Sequence, residues 1–190
     1  PYLQITPAEM LQKRAPWLVI LFIGEMMTAT ALAHYEEELA KAIVLSTFIP
    51  MIIASGGNSG SQASTLIIRA MVLGEVRGRN WHMVLRRELL TGVMIGLILG
   101  IIGFLRISLW ELFWGFYGPH WWLIGLTILC SLIGVVVWGT LAGSMLPLLL
   151  RRVGLDPASA SAPFVATIVD VTGIIIFFTV AMWLLRGTLL

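Results

Sequence analysis

One carboxylate stands in a stretch of sequence that offers it no counter-charge. Asp170 lies in APFVATIVDVTG, Ala162 to Gly173, and from Ala162 to Leu185 no other side chain is formally charged. An ionised group held at such depth is costly unless it meets water, an ion or a partner, so an intramembrane aspartate is by default a functional group. No Lys or Arg falls in the middle of any apolar stretch of the chain, so a buried salt bridge is not on offer. The chemistry that remains is reversible binding of a cation in transit.

On a helix, positions 166, 167, 170, 173 and 174 share one face. Ala166, Thr167, Gly173 and Ile174 would then surround Asp170, a narrow and mostly small set, in which the Ala166 backbone and Thr167 can add oxygens to the carboxylate. Pro163 has no N–H to donate, so in a continuous helix the Ser159 carbonyl is left free. A second polar stretch, GGNSGSQ from Gly56 to Gln62, interrupts another apolar run. It lacks the Gly-Lys-Ser/Thr ending of a nucleotide-binding loop and contains no basic residue, which argues against phosphate. Carbonyls and amides from Gly56, Gly57, Asn58, Gly60 and Gln62 suit a cation or its water shell, so these residues are expected to line or support a pore. The same glycines suit close helix packing, and spacing alone does not separate the two.

Glu25 and Glu88 are weaker candidates. Glu25 stands nine residues into an apolar run, where a pore vestibule and an interhelical contact are equally open, and Glu88 follows Arg86 and Arg87, which favours a local ion pair. Glu36 to Glu38 read as a solvated edge, and His34, His82 and His120 lack the spaced partners of a metal site. The single cysteine, Cys130, has no partner in the chain for a disulfide. An intramembrane aspartyl protease needs two carboxylates, and only one Asp is buried in an apolar run, so no enzyme is expected.

The elements that must hold these residues follow from the apolar runs. With 58% hydrophobic and 12% charged residues, against the roughly 25% charged of a soluble domain, the chain reads as an integral membrane protein. Its net charge of +2 gives no ground for a nucleic-acid partner. Residues 1–15 are expected to form an interfacial or connecting segment. Five spans follow, at 16–35, 42–73, 84–105, 121–150 and 157–185, and together make an all-α five-helix bundle whose partner is the lipid bilayer. The second span contains Pro50 and the polar stretch and is longer than a bilayer needs, so it is expected to be irregular or pore-facing. Gly92, Gly96 and Gly100 recur every four residues in the third, and Gly139 and Gly143 in the fourth, as close helix contacts require. Asp156-Pro157 reads as the start of the last helix, which Pro163 either kinks or divides. With the N-terminus cytoplasmic and the C-terminus outside, nine of the twelve basic residues face the cytoplasm, as the positive-inside rule selects.

The runs PMIIASGGNSGSQASTLIIRAMVLGEV, Pro50 to Val76, and MLPLLLRRVGLDPASASAPFVATIVDVTG, Met145 to Gly173, closely resemble the membrane domain of the MgtE family of magnesium channels. The opening APWL of the first span and the REL, TG, MIG and ILG groups of the third are similar to that family too. The resemblance implies a homodimer with its pore on the dimer axis, Mg²⁺ as the transported ion, Asp170 as the main ion-binding carboxylate, and a pore lined or supported by the GGNSGSQ stretch. It also implies cytoplasmic regulatory domains in a full-length chain, and a plasma-membrane location. Some members carry Asn before the proline of the last helix, where this chain has Ala162. Mg²⁺ takes six oxygens at about 2.0 to 2.1 Å and gives up water reluctantly, so such a pore is expected to hold it largely hydrated. Two other readings stay open: a transporter exchanging Mg²⁺ for Na⁺ or H⁺, and a membrane scaffold that transports nothing.

Overall fold

A computed structural model describes residues 5–189; of residues 39, 41 and 158–161 only the backbone is described. Among the described residues the secondary structure is all helix and turn, with no strand. Helix α1, Pro7–His34, opens on a reciprocal cap in which the Glu9 N–H donates to Thr6 Oγ1 and the Thr6 N–H to Glu9 Oε2. Two donors that a helix start leaves unpaired are thereby satisfied. A short helix α2, Glu36–Lys41, and a 3-10 turn, Ile43–Thr47, lead to α3, Ile49–Val72. A second 3-10 turn, Gly78–Asn80, precedes α4, Trp81–Trp114, and then come α5, Trp121–Arg152, and α6, Pro157–Leu185.

Five of these helices are long and apolar enough to cross a membrane, as the sequence requires. Their boundaries and course differ from expectation in four places, and the first is the third span, expected to end at Leu105, where α4 continues to Trp114. Pro16 does not begin the first span but sits inside α1, which is already helical from Pro7. The second span is not irregular. Pro50 falls in the first turn of α3, where its missing N–H costs nothing, and the excess length is taken up by the 3-10 turn before it. Helix α6 runs unbroken through Pro163.

Helix α5 is the hub, packed on α3, α4 and α6, while α1 lies chiefly along α6. Small residues set these distances. A methyl group at Gly96 would stand 2.7 Å from Ile133 Cα, and one at Gly100 3.1 Å from Leu129 Cα, so the glycine ridge of α4 brings its backbone against α5. Such contact replaces the hydrophobic driving force that helices lack among lipid tails. The enclosed core joins Leu45, Ile52, Ile128, Val135, Val169, Phe177 and Phe178 from the elements around α5.

The turn between α4 and α5 is pinned by charge. Glu111 Oε2 accepts from the Tyr117 N–H at 2.7 Å and the Gly118 N–H at 3.1 Å, and Arg106 donates to Tyr117 Oη at 2.9 Å. Hydrogen bonds to a charged group contribute about 1.5–3 kcal/mol each in favourable cases. Glu111→Ala removes two, so it is expected to lower the melting temperature of the detergent-solubilised protein by several degrees, whereas Glu111→Gln, which keeps one acceptor oxygen, is expected to lose less.

Candidate ion-binding site

Asp170 is half-buried on α6, and its surroundings follow from three helix registers. Helix α3 runs antiparallel to α6: a Cβ at Gly173 would meet Ile53, one at Gly56 would meet Val169 and one at Gly60 would meet Val165. Asp170 is thus about level with Ser55 and Gly56. Helix α1 runs parallel to α6, with Trp17 stacked on Phe164 at 5.3 Å, Gly24 against Thr167, and Tyr35 stacked on Phe178 at 4.4 Å. At about 100° per residue, the side of α6 facing α3 carries Val165, Val169 and Gly173, and the side facing α1 carries Phe164, Thr167 and Val171. Asp170 lies between the two, in the gap flanked by α1 and α3.

From the α1 side of that gap comes a second carboxyl group. Glu25 follows the close Gly24–Thr167 contact, and its carboxyl lies within hydrogen-bonding range of that of Asp170. Thr28 Oγ1 approaches Glu25 Oε2 at 3.5 Å. Like charges so placed repel unless a positive charge is shared between them. A pair of hard carboxylate oxygens is the donor set that Mg²⁺ or Ca²⁺ prefers, with waters completing the shell.

The other residues expected at the site divide. Ala166 and Pro163 lie on the side of α6 nearest Asp170, with Ala166 half-buried and Pro163 exposed. Thr167 is committed to α1, since a Cβ on Gly24 would come within 2.6 Å of its methyl. The clearance at Gly173 is taken by Ile53 and Val135 of the same chain. Gly56 and Gly60 are buried where α3 crosses α5, their carbonyl oxygens against the Cα positions of Gly139 and Gly143. Gly57 is buried as well, though nothing stands where its Cβ would be. Asn58 and Gln62 are exposed on the outward face of α3 with Met51, Ala54 and Thr65, about half a turn away from α5. Glu88 is half-buried on α4, one helix removed from α6, and its backbone carbonyl accepts from Thr140 Oγ1 at 3.4 Å.

On the far side, α6 is tied to α5 by Trp138, whose indole N–H donates to Thr172 Oγ1 at 2.7 Å. Hydrogen bonds between membrane helices average about 0.6 kcal/mol and reach ~1.7. Trp138→Phe is expected to cost an amount in that range in a detergent unfolding titration, without displacing α6.

The meeting of Glu25 with Asp170 was open to no sequence argument. The chain places them 145 positions apart, and only the parallel docking of α1 on α6 joins them. The available signal was the absence of any basic partner for Glu25 in its own run.

Five bilayer-length apolar helices define a multi-pass protein of the cell membrane. A family model described as MgtE, divalent cation transporter, matches residues 49–180, and the chain belongs to that family. It is 37% identical over 186 residues to the magnesium transporter MgtE of Thermus thermophilus, a match covering 98% of this chain and 39% of that protein. It is 31% identical over 180 residues to the magnesium transporter MgtE of Enterococcus faecalis, covering 95% of this chain and 38% of that one. The chain thus spans about two fifths of the length of these relatives.

Proposed function

We propose that this chain is the pore domain of a magnesium-selective channel in which a largely hydrated Mg²⁺ binds at Asp170. The observation that carries the reading is the half-buried carboxylate of α6 facing the gap between α1 and α3, with Glu25 beside it. Family membership supports the divalent cation, and relatives of this sequence are named magnesium transporters. The pore forms between two subunits. Each contributes Asp170 and Ala166 from α6 and the outward face of α3 with Asn58 and Gln62, so the polar side chains left facing out of one chain line the axis of the dimer. Two Asp170 carboxylates offset one divalent ion. The buried Gly56 and Gly60 support this wall from behind by letting α3 close on α5.

The N-terminus is cytoplasmic, which puts Arg151, Arg152 and the Arg77 to Arg87 connection on the inner side. Regulatory domains precede the pore domain in the full-length chain, as the greater length of the relatives suggests. Flux of Mg²⁺ into liposomes separates a channel from an exchanger. A channel conducts under a magnesium gradient alone, and addition of a Na⁺ or proton gradient leaves its rate unchanged after correction for membrane potential. Dependence of the flux on either counter-gradient would replace the channel by an exchanger.

Glu25 adds negative potential to the site without lying on the α3 and α6 walls. Glu25→Gln keeps the size of the side chain and removes the charge. It is expected to raise the half-saturating Mg²⁺ concentration by about tenfold, equivalent to ~1.4 kcal/mol, with a smaller effect on the limiting flux. Half-saturation measured in liposome flux across a range of Mg²⁺ concentrations checks this.

A further inference from the structure

A groove on the opposite side of α6 from Asp170 joins an apolar channel to a cluster of positive charge. It has a volume of about 670 Å³, and Trp138, Ala142, Met145 and Leu149 of α5 lie along it with Ile168 of α6. Its mouth is made by Arg151 and Arg152 at the end of α5 and by Gly78 and Trp81 at the start of α4. Ile168 and Asp170 are two residues apart, about 200° around the helix, so the groove opens away from the gap that holds the carboxylates. It opens on the outside of the single-chain bundle.

Three features at the mouth select an anion. Both guanidinium-bearing residues are exposed, and guanidinium matches a phosphate with paired donors. The first turn of α4 has no side-chain cap from Asn80, and Trp81, its first residue, lines the mouth, so the positive end of a 34-residue helix lies there. Trp81 is exposed, as an indole at the boundary of hydrocarbon and water is. Arg151 also borders a smaller pocket of about 270 Å³, shared with Asp156, while Arg152 lines the groove. Below the mouth the lining turns apolar for three turns of α5. A basic mouth over an apolar trough matches an anionic headgroup over an acyl chain, the pattern by which pockets between membrane helices hold anionic lipids.

We propose that this groove is a binding site for an anionic phospholipid, its phosphate held by Arg151, Arg152 and the start of α4 and one acyl chain laid along Trp138, Ala142 and Met145. The lipid sits against the α5–α6 seam that Trp138 and Thr172 close, on the back of the helix that carries Asp170.

Native mass spectrometry of the full-length protein in mild detergent tests the site, with dioleoyl phosphatidylglycerol and dioleoyl phosphatidylcholine as probes. Phosphatidylglycerol is expected to be retained at least fivefold more than phosphatidylcholine. The double variant Arg151→Gln, Arg152→Gln should erase that preference, while Arg186→Gln at the other end should keep it. Ala142→Phe fills the trough without touching the mouth and should lower retention of the anionic lipid at least threefold, with the melting profile confirming that the protein is folded. Wild-type preference in the double variant would overturn the proposal. So would displacement of the lipid by millimolar inorganic phosphate, which would mean a free-anion site, or an absence of lipid retention, which would mean that another part of the full-length chain occupies the groove.

Discussion

Asp170→Asn is expected to leave a folded, membrane-inserted protein whose Mg²⁺ flux falls at least tenfold. The substitution keeps the shape and removes the charge, so packing of Val165, Val169 and Gly173 against α3 is undisturbed. Two unit charges about 4 Å apart attract by about 4 kcal/mol at an effective dielectric of 20, and a divalent ion doubles the figure. Desolvation offsets much of this, yet a residue of only ~1.4 kcal/mol is already a factor of ten in occupancy. The matching change at Glu88, Glu88→Gln, lies one helix away from α6 and should leave flux near wild type. Flux retained in a folded Asp170→Asn protein would remove the cation site from α6. Flux lost with the fold intact would remove the scaffold reading.

Gly143→Val should unfold or mis-assemble the bundle rather than alter its ion chemistry. A Cβ at Gly143 would overlap the carbonyl oxygen of Gly60, and one at Gly139 that of Gly56. Both obstacles are backbone, so no side-chain rotation relieves them and α3 would have to move off α5. Overpacking in a close-packed interior costs about 1–3 kcal/mol where side chains can adjust. Here they cannot, and the loss should exceed that range. Gly57→Ala on α3 makes a control, since nothing stands within 4 Å of its added methyl. Size-exclusion profiles and melting temperatures of the two variants in detergent should differ sharply, with Gly143→Val aggregated and Gly57→Ala close to wild type. A monodisperse Gly143→Val protein melting like wild type would contradict the tight α3–α5 crossing.

Much of this fold was legible in the sequence, because bilayer thickness acts on composition directly. The last two spans were expected at 121–150 and 157–185, and α5 and α6 end within two residues of those limits. The polar stretch of the second span was harder. Ser, Asn and Gln among glycines read equally as an unwound pore loop and as a helix, and the tertiary structure selects the helix because Gly56 and Gly60 gain the α5 backbone as neighbour. Pro50 misled for a related reason: its position relative to the helix start decides whether proline breaks or begins a helix.

The candidate site was legible in part. A lone carboxylate in an apolar run marks itself, so Asp170 needed no structure to be found. Its partner did, because nothing in the spacing of Glu25 states which helix α1 will meet or in which direction. Gly173 illustrates the opposite limit. It shares a helix face with Asp170 by periodicity, but α3 of the same chain already covers it with Ile53. Helical wheels tell which side chains leave together, and packing decides what they meet.

The central claim is that a divalent cation rests at Asp170, and the measurement closest to it is anomalous diffraction from crystals of the full-length protein soaked in Mn²⁺, with Asp170→Asn crystals as the comparison. A hydrated ion should give an anomalous peak beyond direct ligation distance, about 4–5 Å from the Asp170 carboxylate, on the axis between two subunits, since a directly bound ion of this size would stand at ~2.1 Å. The peak should vanish in Asp170→Asn. A peak that survives the substitution, or ordered Mn²⁺ elsewhere in the membrane region with none near Asp170, would contradict it.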